Sequence, residues 1–246
     1  MIPQHLQRVA RNAAAAVLFT AFALLAACGK GDSVTGPGGM MPPPHYLIIF
    51  VHGLNGNSST WTTMVGRFKA DGWTDRELVS WSYDYNQSNA VTAQQLGAKI
   101  VSVLAATGAH HVDIITHSMG SLSARYYVRN LLPGSDTATK VDAFVSLAGT
   151  SHGTTLAVFC SPISCVEMRP GSAFLNALNS VDETWGKSRY ATWWSPCDEF
   201  VNPQSSTILS GAVNTQTACL EHSVLHEDLT VYMQVREWVK LTPYGL

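Results

Sequence analysis

The sequence has few charged residues, and neither sign of charge is in large excess. Only 13% of the 246 residues are Asp, Glu, Lys or Arg, and the formal net charge at pH 7 is −2. Without a basic field to hold phosphates, nucleic-acid binding is excluded as the main function. The 7 Trp, 8 Tyr and 8 Phe exclude a disordered or acidic tail. The length suits one α/β domain, or at most two small ones.

The sequence also lacks an apolar run long enough to cross a membrane. Its longest run, from Ala13 to Ala27, follows two arginines and is shorter than the roughly 20 residues that a spanning helix needs. Residues 1–27 are typical of a secretory signal peptide. They end in Leu-Ala-Ala before Cys28, which resembles the lipobox of bacterial lipoproteins. That resemblance implies cleavage before Cys28 and lipidation of its thiol; the alternative is ordinary secretion after cleavage at a small residue.

A short linker is predicted between this signal and the folded domain. Residues 28–44 are rich in Gly and Pro and have no periodic apolar face, which predicts a flexible tether. The resemblance to lipoproteins implies a membrane anchor through Cys28, and Gly29 behind it is compatible with the outer membrane. We therefore expect a domain over residues 45–246 that is exported and either lipid-anchored or secreted.

The cysteines lack the spacing of a zinc site. Once Cys28 is set aside four remain, with no C-x-x-C pair and no clustered histidines, so no metal site is predicted. An even number of cysteines in an exported chain predicts two disulfide bonds, with three possible pairings. The short separations favour Cys160–Cys165 and Cys197–Cys219.

Apolar runs alternate with helix-length segments from residue 45 onward. Strands are predicted at 46–51, 77–85, 111–116, 141–149 and 189–195, and helices at 58–70, 89–107, 119–131 and 226–240. This alternation predicts an α/β fold, with a mostly parallel central sheet and helices on both faces. Residues 150–188 are too long for an ordinary connection, and both a lid over the site and an excursion packed on the core remain open.

A candidate nucleophile lies where the third predicted strand meets a helix. The sequence there is Thr116-His117-Ser118-Met119-Gly120. A serine on such a sharp turn is raised above the sheet, and small residues two positions away allow the turn to pack. Gly120 meets this requirement, whereas the β-branched Thr116 departs from the usual G-x-S-x-G pattern.

A second motif, His52-Gly53-Leu54, directly follows the first predicted strand. In acyl transfer, negative charge develops on the former carbonyl oxygen, and two backbone N–H groups in fixed positions stabilise it. The N–H groups of Leu54 and Met119 are the candidates for this oxyanion hole, and Gly53 permits a close backbone approach. We expect the side chain of His52 to be structural.

These motifs resemble the α/β-hydrolase fold, and specifically the bacterial secreted lipase/esterase group. The similarity extends over about residues 45–240 and includes FVHGLNGNSSTW at 50–61, ITHSMGSLSARYY at 115–127, SLAGTSHGTTLA at 146–157 and MRPGSAFLNALN at 168–179. It implies hydrolysis of carboxylic esters, often acylglycerols, without an organic cofactor. A structural Ca²⁺ occurs in some relatives, but no ligand cluster in this sequence predicts one.

The resemblance also supplies candidates for the acid and the base, which follow the serine in the order acid, then histidine. Asp198 occupies the acid position after the strand at 189–195, and Glu199 is its rival. His222 fits the histidine position ahead of the last helix, whereas His226 is expected to be a surface residue of that helix. A disulfide between Cys197 and Cys219 would tie the acid loop to the base loop.

The sequence therefore predicts a serine carboxylic-ester hydrolase of the lipase/esterase type, acting through Ser118, Asp198 and His222 and an acyl-enzyme intermediate. The expected partners are a lipid or other ester substrate and, through Cys28, a membrane; the protein is expected to be a monomer. Two alternatives remain open. One is an acyltransferase or polyester depolymerase with the same fold, and the other is a non-catalytic surface lipoprotein.

Overall fold

A computed structural model of the chain describes residues 45–132 and 140–240. The predicted signal peptide (1–27), the lipidated Cys28 and the tether (28–44) lie outside the described residues. Within the described ranges, no helix combines the length and the apolar character that crossing a membrane requires.

Six strands of the described chain form one parallel sheet. They are β1 (Leu47–Val51), β2 (Leu78–Trp81), β3 (Val112–His117), β4 (Val141–Leu147), β5 (Arg189–Trp194) and β6 (Val213–Gln216), in the spatial order β2-β1-β3-β4-β5-β6. Every residue of β1, β3 and β4 is buried, as expected for central strands of a parallel sheet that is covered on both faces. The predicted α/β fold is confirmed, but the sequence did not reveal β6, because this edge strand is polar and mostly exposed.

Helices cover both faces of the sheet. The α-helices are α1 (Thr62–Ala70), α2 (Asn89–Thr107), α3 (Gly120–Tyr126), α4 (Ile163–Glu167), α5 (Ala173–Leu178), α6 (His222–Leu225) and α7 (Leu229–Lys240). One apolar cluster joins α1 and α7 to one face of β1, and a second joins α2 to the other face. The alternating side chains of one strand thus contribute to two cores.

The predicted helix over 226–240 is wrong at its start. The helix α6 ends at Leu225 and α7 begins at Leu229, where the side chain of Asp228 accepts a hydrogen bond from the N–H of Val231 at 2.9 Å and caps α7. His226 therefore precedes the helix instead of lying on its surface. Its side chain is buried, which corrects the expectation that it is a surface residue.

The long segment between β4 and β5 packs on the core beside α3. It contains a 3-10 helix (Thr155–Phe159), α4 and α5, and its buried apolar residues form a third cluster with Met119 and Leu122. Arg125 donates to the side chain of Asn179 at 2.9 Å, and Arg129 donates to the carbonyl of Leu178 at 2.6 Å. These bonds attach the C-terminal half of the segment to the helix that follows Ser118.

Candidate active site

Ser118 lies on a sharp turn between β3 and α3. Its φ of 54° falls in the left-handed region, which costs energy for a residue with a side chain and persists only where neighbours enforce it. Its N–H donates to the carbonyl of Leu147 at 2.9 Å. A Cβ on Gly120 would lie 2.7 Å from the carbonyl oxygen of Val51, so no larger residue fits without displacing β1. The backbone around Ser118 is therefore held in a strained and defined geometry.

Thr116 occupies the position where the pattern usually has glycine. Its hydroxyl donates to the carbonyl of Val145 on the neighbouring strand at 2.9 Å, and the side chain is fully buried. The structure accommodates the β-branched residue by satisfying its hydroxyl within the sheet. The departure from G-x-S-x-G thus leaves the turn intact.

The loop after β1 passes directly against Ser118. A Cβ on Gly53 would lie 2.7 Å from the Cβ of Ser118 and 3.3 Å from its Oγ. Leu54 packs beside Met119 in the third apolar cluster. Neither the N–H of Leu54 nor that of Met119 donates a hydrogen bond within residues 45–132 and 140–240. Both amides remain available to an oxygen bound at the serine.

His222 and Asp198 form a buried hydrogen-bonded pair. The Nδ1 of His222 lies 2.8 Å from Oδ2 of Asp198, and both side chains are less than a tenth exposed. The other carboxylate oxygen, Oδ1, accepts hydrogen bonds from the N–H groups of Phe200 and Val201 at 2.9 and 2.8 Å. Because the carboxylate accepts, the proton of a neutral His222 resides on Nδ1 and its Nε2 is left as the acceptor.

Glu199, the rival acid, contacts a different part of the histidine. Its Oε2 accepts a hydrogen bond from the backbone N–H of His222 at 2.9 Å. The neighbouring carboxylates therefore act on one residue in two ways: Asp198 orients the ring and Glu199 holds the main chain.

The loops that carry Asp198 and His222 are connected by further bonds. The sulfurs of Cys197 and Cys219 form a disulfide, and a second one joins Cys160 to Cys165. The hydroxyl of Ser195 accepts from the N–H of Leu220 at 2.9 Å and donates to its carbonyl at 2.5 Å. A covalent bond and polar contacts thus fix the separation of the two loops.

Two further buried histidines, His117 and His226, lie close to His222. The Nε2 of His117 donates to the carbonyl of His222 at 3.1 Å, and its ring centroid lies 4.5 Å from that of His222 and 4.6 Å from that of His226. Burial, reinforced by the neighbouring histidines, lowers the pKa of His117 well below its usual value. Burial also lowers the pKa of His226. Both rings are neutral at pH 7.

His52 has the structural role expected of it. Its Nδ1 donates to the carbonyl of Gly53 at 2.8 Å, its Nε2 accepts from the N–H of Tyr83 at 3.3 Å, and the two rings stack with centroids 4.1 Å apart. Burial lowers its pKa, against the opposing effect of the Gly53 carbonyl. With both nitrogens engaged, the ring fixes the loop that approaches Ser118.

Ser118 and His222 line one cavity of about 570 Å³, a size typical of small-molecule sites. Apolar residues from the segment between β4 and β5 form one side of it, and Phe159, at the end of the 3-10 helix, is 84% exposed. Neither lysine nor arginine occurs among the lining residues. The arrangement suits an uncharged substrate with an apolar part.

The structure brings together the candidates that the sequence singled out and adds others. Leu54 lines the cavity with Ser118 and His222, Met119 adjoins the serine, and Asp198 lies behind the histidine. Sequence reasoning did not single out His117, which stands next to the serine in the motif, and it took the buried His226 for a surface residue. Within the described residues, no group of three or more His, Cys, Asp or Glu could hold a metal ion.

The fold of this chain is similar to those of solved bacterial proteins. The structure resembles the mature lipase BlEst2 of Bacillus licheniformis, with a TM-score of 0.68 and 15% identity over 81% of this chain and 94% of that one. The product of gene lin2722 of Listeria innocua gives 0.63 and 13% over 81% and 96%, and phospholipase PlaB of Legionella pneumophila gives 0.66 and 12% over 81% and 60%. At this identity the likeness supports the fold alone.

The family follows from a match along the sequence. The model of the family described as lipase (class 2) matches residues 45–239, well over half of the chain, which confirms the resemblance noted in the sequence. This chain belongs to the class 2 lipases and is a hydrolase of the lipase/esterase type.

Proposed function

We propose that this protein is a serine carboxylic-ester hydrolase that acts on acylglycerols or related lipid esters. The observation that carries the proposal is the 2.8 Å contact between Nδ1 of His222 and Oδ2 of Asp198, with His222 and Ser118 lining the same cavity. A histidine oriented by a buried carboxylate next to a strained serine is the arrangement that serine hydrolases use to activate the nucleophile.

The first half of the reaction forms the acyl-enzyme. Nε2 of His222 removes the proton of Ser118 as Oγ attacks the ester carbonyl, and Asp198 stabilises the resulting imidazolium. The N–H groups of Leu54 and Met119 donate to the negatively charged oxygen of the tetrahedral intermediate. Each such donor is worth about 3–4 kcal/mol in the transition state. The imidazolium then protonates the alcohol oxygen, and the alcohol leaves.

The second half releases the acid. Water enters beside His222, which removes a proton from it as it attacks the acyl-serine carbonyl, and the same oxyanion hole stabilises the second intermediate. Collapse of this intermediate returns the proton to Ser118. As in other class 2 lipases, the reaction needs no cofactor.

The acyl group of the substrate fits the apolar side of the cavity. Leu156, Ala157, Phe159 and Met168 line this side, and Phe200 lies close to His222, with ring centroids 5.4 Å apart. The exposed ring of Phe159 extends the apolar surface outward. Comparing kcat/KM on C4 and C16 p-nitrophenyl esters measures how much of a long chain this surface holds, and adding an alcohol or a polyester distinguishes hydrolysis from transfer or depolymerisation.

The decisive experiment removes the nucleophile. We expect Ser118→Ala to abolish ester hydrolysis while the melting temperature stays close to that of the parent, because the side chain loses only one oxygen. A fluorophosphonate probe is expected to label the parent protein and not the variant. Retained turnover in Ser118→Ala would refute the mechanism, and absence of labelling in the parent would favour the non-catalytic alternative.

We further propose that the enzyme is exported and anchored through Cys28. The apolar run at 13–27, the lipobox-like sequence before Cys28 and the Gly- and Pro-rich residues 28–44 support this proposal, and two disulfides suit an extracytoplasmic location. Mass spectrometry of the N-terminal peptide tests it. A Cys28 that carries a diacylglyceryl group on its sulfur and an acyl group on its amine is expected in the parent, and a Cys28→Ala variant is expected to leave the membrane fraction.

A further inference from the structure

The carboxylate of Asp198 contacts His222 with one oxygen and is oriented through the other. Its Oδ2 lies 2.8 Å from Nδ1 of His222. Its Oδ1 accepts hydrogen bonds from the N–H groups of Phe200 and Val201 at 2.9 and 2.8 Å. The direction in which the carboxylate points therefore depends on where these two peptide groups lie, and a side chain from another segment holds them.

That side chain belongs to Thr154. Its hydroxyl donates to the carbonyl of Phe200 at 2.6 Å and accepts from the N–H of Asn202 at 3.1 Å. The carbonyl of Phe200 and the N–H of Val201 belong to one peptide unit, so a bond to the carbonyl also fixes the direction of the N–H. A continuous series of hydrogen bonds thus runs from the hydroxyl of Thr154 through this peptide unit and Asp198 to the imidazole.

The hydroxyl of Thr154 has no hydrogen-bonding capacity left for a substrate. It also accepts from the N–H of Leu156 at 3.3 Å, so its one donor and both of its acceptor sites are used. The side chain is only 4% exposed, although Thr154 belongs to the residues that line the cavity. The hydroxyl therefore supports the loop of Asp198 and does not bind the ester.

Thr154 also marks the beginning of the apolar side of the cavity. Its N–H donates to the carbonyl of Met168 at 3.1 Å, and both Met168 and the nearby Leu156 line that side. The N–H of Thr155 donates to the carbonyl of Asn202 at 2.9 Å. The loop of Asp198 and the apolar side thus meet at one threonine, and the bond from Thr155 is a second contact that does not depend on the hydroxyl.

We propose that Thr154 is a positioning residue of the reaction, which acts through Asp198 by holding the peptide unit between Phe200 and Val201. The inference rests on the proposed ester hydrolysis and adds a residue to it. Removing the hydroxyl leaves one carbonyl and two N–H groups of the protein without their partner, so the loop moves to satisfy them. Asp198 then orients the imidazole less well, which lowers the rate of the chemical step and leaves the binding of the ester nearly unchanged.

The test removes the hydroxyl and keeps the volume of the side chain. We expect Thr154→Val to lower kcat for p-nitrophenyl butyrate about tenfold and to keep KM within about twofold, because the bond from Thr155 and both N–H bonds to Asp198 remain. Thr154→Ser retains the hydroxyl and is expected to keep kcat within about twofold of the parent. The matched control is Thr192→Val, since Thr192 is fully buried, lies outside the cavity lining and donates to the side chain of Asn214 at 2.7 Å. We expect this control to retain the kcat of the parent.

Two further readouts separate positioning of the acid from a general loss of structure. The decrease in kcat is expected to be equal for p-nitrophenyl acetate and p-nitrophenyl octanoate, because the acid acts on every ester; a decrease confined to the octanoate would assign Thr154 to the apolar side and overturn the proposal. The Nδ1 proton of His222 gives a far-downfield NMR resonance when it is bonded to a carboxylate. We expect this resonance to move upfield or broaden in Thr154→Val and to stay unchanged in Thr192→Val.

The remaining outcomes also decide the matter. An unchanged kcat or an unchanged His222 resonance in Thr154→Val, or an equal loss of kcat in Thr192→Val, would overturn the positioning role. If Thr154→Val does not fold, Thr154→Ala replaces it, because the smaller side chain leaves room for water beside the unpaired groups; a kcat equal to that of Thr154→Ser would then overturn the proposal. Failure of the parent protein to hydrolyse any of these esters would contradict the proposed function, whereas the His222 resonance would still show whether Thr154 orients the pair.

Discussion

Cys197 and Cys219, which form a disulfide, lie one residue before Asp198 and three residues before His222, respectively. Replacing both cysteines with serine removes the covalent link between the two loops and leaves their polar contacts in place. We expect this double variant to lose both stability and catalytic rate. The matched control is the double serine variant at Cys160 and Cys165, which removes the other disulfide.

The expected loss of stability follows from the lengths of the two closed loops. The sequence separations are 22 for Cys197–Cys219 and 5 for Cys160–Cys165. The chain-entropy relation gives about 3.4 kcal/mol for the longer loop and about 2 kcal/mol for the shorter. For a domain of this size, each kcal/mol changes the melting temperature by about 2–4 °C. We therefore expect decreases of about 7–14 °C and about 4–8 °C, respectively.

The expected decrease in kcat depends on which contacts still position His222 after the disulfide is removed. The bonds of His222 to Asp198 and Glu199 and the contact of Ser195 with Leu220 survive the substitution. A displacement of about 1 Å in a catalytic group costs about 100-fold in rate. Because three contacts remain, we expect a decrease in kcat of about tenfold, with KM little changed.

The assay is p-nitrophenyl butyrate hydrolysis at a temperature at least 15 °C below the melting temperature of each variant, together with thermal unfolding monitored by circular dichroism. The control at Cys160 and Cys165 is expected to keep kcat within about twofold of the parent and to change KM, since Cys160 lines the cavity. An unchanged kcat in the Cys197/Cys219 variant would refute the positioning role of the disulfide. Equal decreases in melting temperature for the two variants would refute the loop-length argument.

Further substitutions and a pH titration test the catalytic acid and the buried ionisable groups. Asp198→Asn is expected to lower kcat by about 10⁴-fold, because the amide no longer fixes the tautomer of His222. Glu199→Gln retains a hydrogen-bond acceptor and should lower kcat by less than about tenfold. The reverse order in p-nitrophenyl butyrate kinetics would make Glu199 the acid. Burial, reinforced by a nearby carboxylate, raises the pKa of Asp113 well above its usual value, so ionisation of this side chain at pH 7 opposes folding. Asp113→Asn should therefore raise the melting temperature by about 3 °C or more at pH 7 but not at pH 4. An unchanged melting temperature at pH 7 would contradict this reasoning. His117 and His226 have lowered pKa values in the folded protein, so the unfolded chain binds protons first as the pH falls. The free energy of unfolding should therefore decrease as the pH drops below about 6.5. If urea titrations show the same decrease in His226→Phe, His226 does not contribute to the effect.

Local sequence patterns predicted most of the sheet and the position of the serine. The buried strand β1 follows from a continuous apolar run, and β3 and β4 from shorter apolar stretches, because strands covered by helices on both faces bury both of their sides. The edge strand β6 has no such run, because it is mostly exposed and pairs only with β5. Its formation depends on a neighbour that the local sequence does not encode.

The sequence by itself determined the features that depend on adjacent residues: the strand-turn-helix around Ser118, the glycines at 53 and 120, and the short separations of the cysteines. The tertiary structure alone decided which of Asp198 and Glu199 contacts the ring of His222. The two carboxylates are neighbours in the chain, and only the loop around them orients one toward the imidazole and the other toward the backbone. It also decided that His226 is buried beside the cavity, because α7 begins only after its cap at Asp228, which leaves His226 in the connection before the helix. Contacts between distant segments depend on how two loops meet, and that geometry follows from the packing of the whole domain.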